Sequence, residues 1–285
     1  MANVGFHAAH ARAIRKYSGG TVRAKHPLAA WPLRQVILPS AFIAVTLLLW
    51  HVAVRHGGIS PTLLPRPEAV VAVLWNNLAL LMRHAMPTVA KTGLAFVLVV
   101  GFGVALGSLI VLSRRLKQAI LPYVLLFQFI PKVAFGPLFV VWFGSGPQSS
   151  FAFAVFFAFF PILVSTVTGL NSADRNAIRL CKSLRASAWQ TFRYVQFPYA
   201  LPHIFAGMKV GVTMTLIGVV VGEFISAQAG LGYIILFSAS SYETPLLFAA
   251  IALLCCIGVG LFGLVHALQV VVLRGMDAKL STNEF

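Results

Sequence analysis

The sequence predicts an all-α integral membrane protein with six transmembrane helices and both termini in the cytoplasm. Three observations predict it. Only 10% of the 285 residues are charged, whereas an ordinary soluble domain carries about 25%. Hydrophobic residues make up 59%, and the mean hydropathy is +0.88. The charges that remain fall into alternate loops. Such a composition cannot wet a soluble surface, so a soluble enzyme, a disordered chain and a fibrous chain are all excluded.

A hydrocarbon core about 30 Å thick needs roughly 20 apolar residues per helix. Six segments of the sequence meet that length: 36–54, 93–112, 119–143, 150–170, 203–224 and 245–273. Residues 1–35 are polar and basic, and the apolar run after them starts too late and runs too long for a secretory signal. They read as a cytoplasmic arm, followed by a membrane domain over 36–275 and a short tail over 276–285.

The formal net charge is +16 and the pI about 10.7. In a soluble chain that balance points to nucleic acid; here its distribution points to topology. The arm carries Arg12, Arg15, Lys16, Arg23, Lys25 and Arg34, and the loop after the second span carries Arg114, Arg115 and Lys117. Arg175, Arg179, Lys182, Arg185 and Arg193 follow the fourth span, and Arg274 and Lys279 follow the sixth. The other side has Arg55, Arg66, Arg83 and Lys91, all between spans one and two. Basic residues accumulate on the cytoplasmic side, so both termini are placed inside and no nucleic-acid partner is expected.

The outer segment 57–92 opens with Gly57, Gly58, Pro61, Pro65 and Pro67. It continues as an amphipathic pattern through Val70, Val73, Leu74, Leu78 and Leu81, read as an interfacial helix leading into span two. Cys181, Cys255 and Cys256 have no metal-ligand spacing and read as small hydrophobes. The histidines are scattered, except His7 and His10 in the arm, so no metal is expected.

The most informative segment is 171–202, too long for a simple connection. Asp174 favours a helix start, and Ile178, Cys181 and Leu184 recur on one face. Ser187 and Gln190 have capping-box spacing, which predicts a second short helix with Trp189, Phe192 and Val195 as its apolar face and Pro198 as its limit. The two helices bend near 184–187. A plain basic loop and a tethered nucleic-acid helix-turn-helix are the competing readings, and neither accounts for the paired helices.

This segment resembles the "EAA" cytoplasmic loop of binding-protein-dependent ABC importer permeases. That pattern is Glu-Ala-Ala, three residues, Gly, nine residues, then Ile-x-Leu-Pro. Val195-Gln196-Phe197-Pro198 fits the last element, with 186–194 as the spacer. Arg185 then stands at the Gly position, and Arg179, Leu180 and Cys181 at Glu-Ala-Ala. Further likeness to the nitrate, sulfonate and taurine branch lies in Ile130-Pro131-Lys132-Val133-Ala134, Pro137-Leu138-Phe139-Val140 and Trp142-Phe143-Gly144. It continues in Ser187-Ala188-Trp189-Gln190-Thr191-Phe192, Val221-Gly222-Glu223-Phe224 and Gly230-Leu231-Gly232-Tyr233. The wording Ser183-Leu184-Arg185-Ala186-Ser187 is most similar to permeases linked to pyrimidine-type thiamine precursors. The likeness covers roughly 60–275.

The resemblance implies a type I importer fold in a bacterial inner membrane, set among lipid. It implies a second permease copy, a cytoplasmic ATPase dimer and a periplasmic substrate-binding protein as partners. The sequence has no Gly-x-x-x-x-Gly-Lys-Ser/Thr loop, so ATP is a cofactor of the partner and this chain is no enzyme. By the same resemblance Arg179, Ser183, Leu184, Arg185, Ala186, Ser187, Trp189 and Pro198 form the ATPase contact. Small polar or anionic organic solutes are the implied cargo.

Gln128, Lys132 and Glu223 are the pathway candidates. A charge within a span costs several kcal/mol unless compensated, so Lys132 either faces the pathway or pairs with an acid, Glu223 being the nearest. Snorkelling of Lys132 with an interfacial Glu223 is the plainer alternative, and Lys209 reads as a snorkelling residue. Pro131, Pro137 and Pro161 predict kinks or breaks in spans three and four. Gly93, Gly101, Gly103 and Gly107 permit close helix approach. The Phe-rich run 151–160 reads as lipid-facing bulk. An ion-gradient-driven secondary transporter remains the alternative function, but it calls for inverted repeats and coupling carboxylates. A membrane-embedded enzyme is a weaker one, for want of a nucleophile–base set.

Overall fold

The computed structural model describes residues 33–226 and 228–282, and among them every regular element is helical. Five helices are long and apolar enough to cross a membrane, and a bent pair raises the count to six. The basic arm up to residue 32, with His7 and His10, and the last three residues lie outside the described part.

Helix α1 (Leu33–His56) is pinned to the rest only near its C-terminal end. There Trp50 Nε1 donates to Pro65 O at 3.1 Å, the Trp50 ring meets Phe248, and His51 pairs with Glu68. Helix α2 (Pro67–Asn76) starts with proline at its first position, where the missing N–H costs nothing. It stops at Asn77, and α3 (Leu78–Leu112) begins at once. The second span is therefore 35 residues long and starts far earlier than 93. The expected interfacial helix ends at residue 76, and Arg83 and Lys91 belong to α3 rather than to an outer loop.

The third span is not one helix. Ser113 caps α4 (Arg114–Phe129), accepting from Leu116 N. Ile130 precedes a proline, so it is forced out of the helical region and sits at φ −74°, ψ 131°. A 3-10 turn (Lys132–Phe135) and α5 (Gly136–Phe143) follow, and the two halves meet at 93°. Gly136 packs so closely on Ile225 that a Cβ there would collide.

Helix α6 (Pro147–Asn171) and α9 (Phe197–Ser226) form the centre of the bundle. Gly207, Gly211, Gly218 and Gly222 line one face of α9, and a Cβ at each would meet α6 at Ser165, Ile162, Ala154 and Ser150. Gly103 and Gly107 of α3 seat against Ile162 and Thr166 in the same way, whereas Gly93 and Gly101 face open space. Close backbone approach thus fixes α3, α6 and α9 as one unit. The Phe-rich run is not lipid-facing bulk. Phe153 and Phe160 are buried, and Phe139, Phe153, Phe156 and Phe160 form a chain of ring contacts at 5.5–5.7 Å.

Between α6 and α9 lie α7 (Arg175–Ser183), α8 (Ala188–Thr191) and a π-helical turn (Phe192–Gln196). After α9, a ten-residue helix α10 (Leu231–Ser240) precedes α11 (Thr244–Thr282). Helix α10 escaped the sequence reading because it is half the length of a span. Helix α11 runs through 276–282, so most of the expected tail continues the last helix.

The seam makes a direct prediction. Gly107→Leu should lower stability by roughly 1–3 kcal/mol through overpacking against Thr166. Gly101→Ala should be neutral or stabilising by up to about 1 kcal/mol. Thermal denaturation in detergent separates the two; equal losses would remove the seam from the account.

Candidate functional site

Two regions concentrate the chemistry. The first is the knob made by α7 and α8. Asp174 accepts from Asn176 N at 3.1 Å and starts α7 as expected. The helix ends in a Schellman turn: Arg185 N donates to Lys182 O and Ala186 N to Cys181 O. Such a turn needs a left-handed residue after the cap, and Arg185 holds φ 53°. The position where the resembled pattern has glycine is thus left-handed in this chain, occupied by a residue that pays roughly 1–2 kcal/mol for it. The capping box forms in full, with Gln190 N donating to Ser187 Oγ and Ser187 N to Gln190 Oε1.

The apolar face of the knob differs from the expected one. Ala173, Ala177, Cys181 and Val195 are buried together, with Ile178, Ala186 and Tyr199 packed on them. Burial pushes the Cys181 thiol up. Leu184 turns outward, 48% exposed, because the Schellman turn reverses the chain at that point. Trp189 is 59% exposed and stacks on buried Phe192 at 5.4 Å. Arg179, Ser183 and Arg185 are exposed beside them, and Ala186 is half-buried. Pro198 does not limit the second helix. The π turn shifts the hydrogen-bond register so that Phe197 N donates to Phe192 O, and the helix passes through Pro198 into α9. Residues Ala188–Ile225 form one continuous rod.

The second region lies at the far end of that rod. Glu223 is 1% exposed. Its carboxylate accepts from Thr88 Oγ1 at 2.9 and 3.1 Å and from Gly232 N at 2.9 Å, and it pairs with Lys91. Thr88 in turn accepts from Leu231 N at 2.9 Å, and His84 Nδ1 accepts from Gly230 N at 3.2 Å while its ring stacks on Tyr233. The carboxylate and the threonine therefore cap α10, joining α3, α9 and α10. Gly230, at φ 121°, and Gly232 lie directly under the carboxyl group, where any Cβ would strike it.

Glu223 and Lys132 do not meet. Lys132 sits at the break in the third span; its Nζ donates to Phe157 O at 3.3 Å and lies 5.5 Å from the centroids of Phe157 and Phe160. Gln128 is exposed on α4. Lys209 contacts His266 Nδ1 at 3.1 Å and the Phe262 ring. The sequence reading missed Lys91 and Thr88. Their signal is the spacing Thr88, Lys91, Thr92 on one face of an otherwise apolar helix.

A shallow, widely open cavity of about 770 Å³ runs along α3, α5 and α6. Phe139, Phe143, Phe151, Phe156, Phe159 and Phe160 supply its wall, and Lys91 and Gln148 its polar edge. Among the described residues no cluster of His, Cys, Asp or Glu could hold a metal ion.

A family model for the binding-protein-dependent transport system inner membrane component matches residues 98–277. The riboflavin transport system permease protein RibX of Chloroflexus aurantiacus is 35% identical over 83% of this chain and 90% of its own. The taurine transport system permease protein TauC of Escherichia coli is 32% identical over 80% and 86%. The formylaminopyrimidine transport permease protein ThiX of Halalkalibacterium halodurans is 31% identical over 84% and 96%. Among solved structures, the inward-facing MetNI methionine ABC transporter matches 70% of this chain and 97% of its own. Its TM-score is 0.59 at 21% identity, a likeness of fold.

Two outcomes follow from the site. Glu223→Gln, which leaves Lys91 unpaired, should cost about 3–5 kcal/mol, and adding Lys91→Met should recover part of that. Arg185→Gly should raise stability by about 1 kcal/mol by relieving the left-handed strain. Both are read as shifts in thermal unfolding. A destabilising Arg185→Gly would mean the arginine side chain, not its backbone, is what the turn needs.

Proposed function

The chain belongs to the binding-protein-dependent transport system inner membrane components and is a multi-pass permease subunit of an ABC importer; on that premise we propose how it works and what it carries. A separate cytoplasmic ATPase dimer hydrolyses the ATP, an extracytoplasmic binding protein delivers the solute, and a second copy of this chain completes the pathway. The knob faces the cytoplasm, in keeping with the five basic residues of 175–193. The side opposite the knob carries only Arg55, Arg66, Arg83 and Lys91, in keeping with the same orientation.

The observation that carries this reading is the knob itself. Leu184 and Trp189 are large apolar side chains exposed on a turn that is locked by a Schellman motif on one side and a capping box on the other. Exposed apolar anchors held on a rigid support suit docking into a partner's groove. Arg179, Ser183, Arg185, Ala186 and Ser187 supply the rim, with charge suited to carboxylates on the ATPase. Pro198 contributes by its place in the rod rather than by contact. Closure of the ATPase pulls the knob, and the continuous helix Ala188–Ile225 carries the movement to Glu223.

For the cargo, the aromatic cavity favours a planar nitrogen heterocycle, of the pyrimidine or flavin kind named for ThiX and RibX, over a small sulfonate. Phenyl walls stack on flat rings. Lys91, the cation in the cavity wall, is paired with Glu223, and Lys132, which keeps its charge, is covered by the Phe157 carbonyl and the Phe157 and Phe160 rings and stands outside that wall, so a small anion meets no unpaired cation in the wall itself. The secondary-transporter reading has no such support: Glu223 is saturated with donors, and Glu243 is exposed.

Co-purification with the candidate ATPase tests the docking. Leu184→Asp with Arg185→Glu should weaken the complex at least about tenfold, or 1.4 kcal/mol, while thermal unfolding of the permease stays close to wild type. An unchanged complex would place the dock elsewhere, and no complex with wild type would contradict the ATP-driven reading.

A further inference from the structure

Helix α6 carries Pro161 in its interior. A proline has no N–H, so the carbonyl four residues earlier loses its helical donor. That carbonyl belongs to Phe157, and inside a membrane helix no water is at hand to satisfy it. The Lys132 ammonium is the group that reaches it, at 3.3 Å, while the Phe157 and Phe160 rings cover it from 5.5 Å. Lys132 is also the first residue beyond Pro131, where the third span turns by 93°.

We infer that Lys132 is a positioning residue: its ammonium replaces the hydrogen-bond donor that Pro161 removes from α6, and in doing so clips the break of the third span to the kink of the fourth. Each partner solves the other's problem. The carbonyl oxygen and two ring faces give the half-buried cation three electron-rich neighbours, and the cation gives the carbonyl a donor. The clip has a consequence for the pathway, and that consequence alone rests on the permease reading. Phe160 both covers the ammonium and lines the aromatic cavity, so the angle of the break sets the position of a cavity wall. Lys132 therefore acts through Phe157 and Phe160 and not by binding the solute.

The test is a double-mutant cycle on the full-length permease in lipid nanodiscs. Lys132→Met should lower the melting temperature in the wild-type background, because the Phe157 carbonyl is orphaned. Pro161→Ala restores the N–H, and in that background Lys132→Met should be neutral or mildly stabilising. The expected difference between the two backgrounds is roughly 5 °C. Lys132→Arg, which keeps a donor and the charge, should rescue most of the loss. As a second readout, spin labels at positions 123 and 141, with the three native cysteines replaced by alanine, report the angle between α4 and α5. Lys132→Met should broaden that distance distribution, and Lys132→Arg should restore it. The same melting shift in both backgrounds, or an unchanged distance distribution in Lys132→Met, would overturn the clip. If Pro161→Ala fails to fold, the label distances for Met and Arg at position 132 still decide.

Discussion

The Glu223 carboxylate sits where no water reaches it, and the half of the molecule far from the knob is arranged around that constraint. A buried carboxylate costs several kcal/mol unless its oxygens are fully engaged. Here Thr88, Lys91 and Gly232 N engage them. Satisfying one charge thereby ties three helices together, because the donors come from α3 and α10 while the acid belongs to α9. The same demand dictates small residues at 230 and 232, since the carboxyl group occupies the space a Cβ needs. Counting from Leu112 at about 1.5 Å per residue, Lys91 lies about 32 Å along α3, close to the far boundary of a hydrocarbon core about 30 Å thick. The anchor therefore stands at the opposite face of the membrane from the knob.

Between anchor and knob runs one helix. The π turn at Phe192–Gln196 lets the chain pass a proline without ending, and the glycine face of α9 locks the rod to α6 from Gly207 to Gly222. A displacement applied at Leu184 crosses only the turn 184–187, which the Schellman bonds and the capping box hold, and one applied at Trp189 has no loop in which to dissipate before it reaches Glu223. From there it passes to α10 through the shared cap, to α3 through Lys91, and to α5 through the Gly136–Ile225 contact. The break in the third span is the complementary device. Its 93° turn is where the bundle departs from rigid helices, and it lies against the wall of the aromatic cavity.

Much of this was legible in the residues. Long apolar runs fixed where five spans lie, and Asp174, Ser187 and Gln190 announced the two short helices of the knob with their caps. Arg185 at a glycine position raised the question that its left-handed backbone answers. What was not legible has physical reasons. Hydropathy weighs side chains and ignores backbone hydrogen bonds, so 119–143 reads as one span although Pro131 breaks it. Lys132 and Glu223 look like partners only because Glu223 is the nearest acid to a charge inside a span. The true partner, Lys91, lies 132 positions away from Glu223 on a stretch that its polar neighbours made resemble a loop. Nothing in the sequence relates Lys132 to Pro161 either, since that relation exists only once two helices cross. A missed signal was Glu223 followed by Gly230 and Gly232, an acid with two glycines where a helix must start again.

The central claim is that knob and anchor move as one body. Structures of the assembled transporter, nucleotide-free and trapped with ATP, test it most directly when superposed on the Gly207–Gly222 face of α9. The account predicts that residues 188–225 coincide to within about 1 Å, the usual limit for a segment that does not rearrange, with Glu223 still held by Thr88, Lys91 and Gly232. A bend at 192–196 that leaves the Glu223 end in place while the knob swings would contradict it.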